Sequence, residues 1–204
     1  MEQSNITEMK IIEAATHVFL EKGKEGARMQ EISEKAGINK ALLHYYFRSK
    51  EKLFEKVFYS ELRKVLNNIL DSINNTQKFE TFLKTFIDKY INIIAPRKNL
   101  LRFILWESEN QKFLTAQTFH DEFSKRGYQE NPILLKIKDA VTNGEIKKTD
   151  PVNLLLNILS MCIFPLIAAP MIGKILQNEI IIDEKFLQKR KKEIFKLVWD
   201  AIKP

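Results

Sequence analysis

Apolar residues recur every three or four positions along most of this chain, and that spacing predicts helices rather than strands. Ile11, Ala15, Val18 and Phe19 mark a first helix, which Gly23 is placed to stop. Two shorter runs follow within residues 28–50, on either side of Ala36-Gly37-Ile38. Ile32 and Ala36 form the apolar edge of one, Leu43 and Phe47 that of the other. The glycine between them supplies the positive φ that ends a helix and turns the chain sharply. Asn39 then stands where a side-chain oxygen can cap the next helix. Two helices meeting steeply across a short glycine-containing turn make a helix-turn-helix.

From Glu51 the spacing of Leu53, Val57, Leu62, Leu66, Ile69 and Ile73 predicts one long helix ending near Asn74-Asn75. Further helices are predicted over 79–94, 97–109, 113–126, 132–141, 150–177 and 183–202. Asp150-Pro151 reads as an N-cap followed by proline at the first helical position. The run 152–173 is apolar and long enough to cross a membrane. Asn153, Asn157, Ser160, Pro165 and Pro170 interrupt it, however, and burial in a protein interface explains the same composition. The two prolines are expected to kink or split that helix, since each lacks an N–H and crowds the preceding turn. The chain thus reads as all-α, with a three-helix helix-turn-helix domain over 1–52 and a larger helical domain over 53–204.

Composition adds two constraints. The net charge of +7 fits a phosphate-rich partner without requiring one. Its placement is more informative. With Leu43 and Phe47 turned inward, Lys40, Ala41, His44 and Tyr45 share the outer face of the second helix of the motif. Arg48, Lys50 and Lys52 gather just beyond, where Ser49 can cap a third helix whose free amides favour an anion. A plain helical hairpin with a solvated basic face would carry similar charge. The order of a capped helix, a polar outer face and a cationic helix start favours DNA.

The one cysteine, Cys162, allows no intrachain disulfide and points to a reducing compartment, the cytoplasm. In its apolar surroundings it reads as a small buried residue. Residues 1–10 are polar and include acids, unlike a secretory signal. His17, His44 and His120 lie far apart, and no metal-ligand spacing, glycine-rich phosphate loop or nucleophile elbow occurs. No catalytic residue, metal or cofactor is therefore expected.

Residues 6–56 resemble the DNA-binding domain of the tetracycline-repressor (TetR) family of bacterial transcription regulators. The resemblance rests on Ile11-Ile12-Glu13-Ala14-Ala15, Phe19, Gly23, Ile32-Ser33, Ala36-Gly37-Ile38, Lys40, Leu43, Tyr45-Tyr46-Phe47 and Ser49-Lys50-Glu51-Lys52-Leu53. It implies a homodimer that places two recognition helices in successive major grooves, roughly 34 Å apart, on an inverted repeat. Mapped by position, Gln30, Lys40 and Ala41 reach base edges: adenine for Gln30, guanine for Lys40, a thymine methyl for Ala41. Asn39, His44, Tyr45, Tyr46 and Lys50 fall at phosphate-contacting positions. Arg28 replaces a frequent Ser or Thr, so the usual cap is missing and a cation is available to DNA. Leu42 replaces a small hydroxyl residue, and His44 a tyrosine.

The same resemblance implies that the last two helices form the dimer interface, with Leu155, Leu159, Phe195, Val198 and Trp199 as contacts. It also implies a small-molecule effector that releases DNA by favouring another conformation. Tyr90, Phe103, Trp106, Phe119, His120 and Phe123 would line a pocket for an apolar or aromatic compound, although aromatics so placed equally fill a helical core. Two other readings stay open: a dimeric DNA-binding protein without a ligand, and an enzyme whose active site carries no motif.

Overall fold

The computed structural model describes residues 2–71, 73, 78–109 and 114–204. Among them are ten α-helices and no strand. The helices are α1 (Glu2–Gly26), α2 (Met29–Lys35), α3 (Lys40–Tyr46), α4 (Lys50–Leu70), α5 (Phe79–Ile94), α6 (Lys98–Glu109), α7 (Leu114–Lys125), α8 (Pro132–Thr142), α9 (Pro151–Ile175) and α10 (Glu184–Ile202), with a 3-10 turn at Ala95–Arg97. Predicted and observed helices agree to within two residues at most ends. The turn expected at Asn74-Asn75 and the start expected at Phe113 lie outside the described residues.

Packing divides the chain into two compact units. The first, a head, holds residues 1–64 and 99–118; the second holds 65–98 and 119–204. This differs from the division at 52/53 that the motif suggests. The reason is local: α4 is a single helix of 21 residues, and its portion up to Lys64 packs inside the head.

In the head, α1 buries Ile11, Ala15, Val18 and Phe19 at helical spacing. Its helical backbone breaks at Gly23 (φ 70°, ψ 178°), and Asn99 donates to the Leu20 carbonyl at 2.8 Å just before the break. Phe19, Phe54, Phe58 and Phe103 form an aromatic core, with Phe19–Phe54 centroids 4.8 Å apart at 79° and Phe54–Phe103 5.0 Å apart at 61°. Both geometries are close to the edge-to-face preference of aromatic pairs.

The second unit is organised around α5. Phe79, Phe82, Leu83, Phe86, Ile87, Ile91 and Ile94 are all buried there, and α8, α9 and α10 pack against it. Caps define the other helices. Asn131 accepts from the Ile133 amide at 2.9 Å, Asp150 from Asn153 at 2.6 Å and Asp183 from Phe186 at 2.7 Å, each satisfying an otherwise orphaned N–H. A buried lysine, Lys191 of α10, is matched by Asn92 at 2.5 Å and Asp88 at 3.0 Å on α5.

The double proline does not split α9, which runs unbroken from Pro151 to Ile175. Without an N–H on Pro165, the Met161 carbonyl four residues earlier loses its intrahelical donor. The Arg190 guanidinium of α10 replaces it, donating through Nη2 at 3.1 Å. Further on, Gly173 is required by close approach: a Cβ there would lie 2.9 Å from the Asn178 carbonyl oxygen.

Candidate DNA-binding site

The turn between α2 and α3 is built from backbone chemistry. Gly37 takes φ 68°, a conformation most side chains avoid. Its amide donates to the Glu34 carbonyl at 3.1 Å while Ile38 donates to Ser33 at 3.0 Å, the paired bonds of a Schellman ending. Two residues later the Asn39 side chain accepts from the Leu42 amide at 2.7 Å and starts α3. Ile32 and Leu43, each 0 % exposed, anchor the two helices from inside.

That anchoring fixes what α3 shows to solvent. Lys40, Ala41, His44 and Tyr45 are all exposed on its outer side. Tyr45 is 80 % exposed and stands edge-on to the half-buried Tyr46, centroids 5.6 Å apart at 88°. An aromatic so exposed is not filling a core. Gln30 is exposed but holds Glu34 at 2.7 Å, so it must exchange that bond to meet a base. Arg28 occupies the N-cap of α2 in extended geometry with no side-chain cap and is exposed, as the sequence suggests.

The start of α4 completes the surface. Ser49 accepts from the Lys52 amide at 3.2 Å, and Arg48 and Lys52 are exposed beside it. Lys50 is half-buried, its Nζ 3.4 Å from the Ala27 carbonyl. An unforeseen brace lies behind: Lys22 pairs with Glu31 at 2.6 Å and Lys24 with Glu51 at 3.7 Å, tying the end of α1 to α2 and α4. Neither pair has a sequence signature, because the partners are separated by loops.

The residues expected in a pocket are divided between the two units. Phe103 is buried in the aromatic core of the head, beside an open cleft of about 290 Å³ also lined by Gly23, Phe54 and Asn99. The Trp106 side chain lies outside the described residues. In the second unit Tyr90 is half-buried and stacks on Phe86 (5.6 Å, 20°), Phe119 and Phe123 are half-buried with centroids 5.9 Å apart, and His120 is exposed.

Of the residues expected at a partner, Leu155 and Val198 are taken up by the core of their own unit. Leu159, Phe195 and Trp199 are half-buried, the last two stacked at 6.4 Å. The outward apolar residue on each helix is the neighbour, Leu156 on α9 and Leu197 on α10. With Val152, Phe164 and Met171 they leave a run of large apolar side chains, each more than half exposed. By length and composition α9 is the one described helix able to cross a membrane, and only 28 % of its most apolar window is buried.

A capped recognition helix with an exposed polar face, beside a cationic helix start, defines a helix-turn-helix DNA-binding regulator. Residues 11–57 match the model of the family described as bacterial regulatory proteins, tetR family. The HTH-type transcriptional repressor SCO4008 of Streptomyces coelicolor is 27 % identical over 153 residues, covering 75 % of this chain and 74 % of that one. The crystal structure of a TetR-family transcriptional regulator from Mesorhizobium loti superposes with a TM-score of 0.70 at 20 % identity, covering 98 % of both chains. FadR of Bacillus subtilis, solved in complex with stearoyl-CoA, does so with a TM-score of 0.64 at 18 % identity, covering 93 % of this chain and 96 % of that one. Residues 11–57 thus carry that family's DNA-binding domain, and the fold of the whole chain is that of solved TetR-family regulators.

Proposed function

We propose that this protein is a homodimeric transcriptional repressor of the bacterial cytoplasm, released from an inverted-repeat operator by a small apolar or aromatic ligand. The observation that carries the DNA reading is the outer face of α3, where Lys40, Ala41, His44 and Tyr45 are exposed while Leu43 is wholly buried. Lys40, Ala41 and Gln30 read base edges, whereas Arg28, Asn39, His44, Tyr45, Tyr46 and Lys50 meet phosphates. The uncovered apolar residues of α9 and α10 support a two-fold partner over a membrane, because Asn153, Asn157 and Ser160 interrupt the same helix. Support for the ligand is the half-buried aromatic set Tyr90, Phe119 and Phe123, together with a fold neighbour that holds stearoyl-CoA.

Selection of bound sequences from a random duplex pool tests this reading. An enriched inverted repeat is expected; no enrichment at low and moderate salt alike overturns it. On the selected duplex, Lys40→Ala is expected to relax preference at one base position by about 1–3 kcal/mol. Lys50→Ala should instead weaken all sequences similarly and reduce the salt slope by about 1. Measured binding isotherms over a salt series separate the two: a uniform loss in the Lys40 variant removes it from base reading.

A further inference from the structure

The head unit is larger than DNA reading requires. It includes residues 99–118, which comprise nearly all of α6 and the first turn of α7, and none of these belongs to the helix-turn-helix. Where they meet α4, a carboxylate is buried. Glu107, in the last turn of α6, is 1 % exposed. The Tyr59 hydroxyl on α4 donates to its Oε1 at 2.7 Å. The Thr115 amide at the start of α7 donates to both carboxylate oxygens at 3.0 Å, and the Thr115 hydroxyl closes on Oε2. Among the described residues no cation pairs with Glu107.

A carboxylate is tolerated away from water only while donors replace the water it lost. Here the donors come from two other helices, so the group is satisfied only when α4 and α7 both keep their places. Burial, and after it the Glu107 hydrogen bond, push the Tyr59 phenol above its ordinary pKa, so it stays protonated as a donor. Tyr59 is also held edge-on by Phe58 (5.5 Å, 83°) and Phe103 (6.2 Å, 87°). It sits on the helix that begins at the DNA face, roughly 14 Å along the axis from Lys50 at 1.5 Å per residue. α7 continues beyond Thr118 into the second unit.

The geometry points to Glu107 as a positioning residue for DNA binding: through Tyr59 it fixes the course of α4, and through Thr115 it makes that placement depend on α7. The inference rests on the DNA-binding reading above and adds where a signal enters the head. A movement of α7 that withdraws Thr115 leaves the carboxylate short of donors. α4 is then released from its place through Tyr59. Because coupling is reciprocal, DNA held by the head must in turn hold Thr115.

The test is amide hydrogen exchange on the full chain, with and without saturating selected duplex. In the wild type the duplex is expected to slow exchange of the Thr115 amide about tenfold, within the usual range for coupled sites, and to leave the Ile194 amide of α10 unchanged. In Tyr59→Phe, which keeps the ring and removes the hydroxyl, the protection at Thr115 should fall below about twofold although duplex still binds. Glu107→Gln gives the same loss and serves if the first variant fails to fold. A Thr115 amide indifferent to DNA in the wild type overturns the inference and leaves the DNA reading intact, as does full protection retained in both variants. Absence of any bound duplex overturns both readings.

Discussion

Placing glutamate at both Leu156 and Phe164 is expected to convert the protein to a monomer in sedimentation at micromolar concentration. Both side chains are more than half exposed in the isolated subunit, so the exchange leaves its own packing intact, within about 0.5 kcal/mol of stability. If the proposed two-fold partner covers these positions, each would carry an uncompensated charge into an apolar contact. A penalty of about 3 kcal/mol corresponds to roughly a hundredfold rise in the dimer dissociation constant. Affinity for an inverted repeat should fall with it, because two linked heads gain their affinity from joint engagement. A variant that sediments as the wild type does would remove this face from the assembly.

Truncating Leu43 to alanine should cost about 2–5 kcal/mol, the usual range for a fully buried leucine, and should lower the urea midpoint of the head. The recognition helix has seven residues, too few to persist in water by backbone hydrogen bonding alone. Its order comes from the Asn39 cap and from Leu43, which is 0 % exposed beneath it. DNA binding should be lost together with the fold of this region. Lys40→Ala makes the contrast, since it alters binding and leaves the midpoint in place. A loss below about 1 kcal/mol in the Leu43 variant would show that the helix is held by something other than its apolar edge.

What was legible in the sequence follows from what is local. The α5 helix was readable because its buried face repeats at helical spacing, and the starts of α3 and α9 because Asn39 and Asp150 are side chains of a type that caps. The Gly37 turn was readable because one φ decides it. The outward face of α9 was not, because that helix is apolar almost all round and the period that separates Leu155 from Leu156 is hidden. On α10 the adjacent Leu197 and Val198 pose the same ambiguity. The replacement donor at Pro165 was also invisible, since it is a guanidinium 29 residues along the chain from the Met161 carbonyl it reaches. Nothing local marks Glu107, because only the meeting of three helices buries it.

The bond from Arg190 to Met161 also bears on how the chain is made. During synthesis α9 leaves the ribosome before α10, with the Met161 carbonyl open and its apolar sides unshielded. Only after Arg190 has emerged can that acceptor be filled from within the subunit. The second unit therefore finishes last, because both segments of the head, 1–64 and 99–118, are made before α9. A chain cut short before Arg190 would leave α9 apolar and its Met161 carbonyl without the guanidinium.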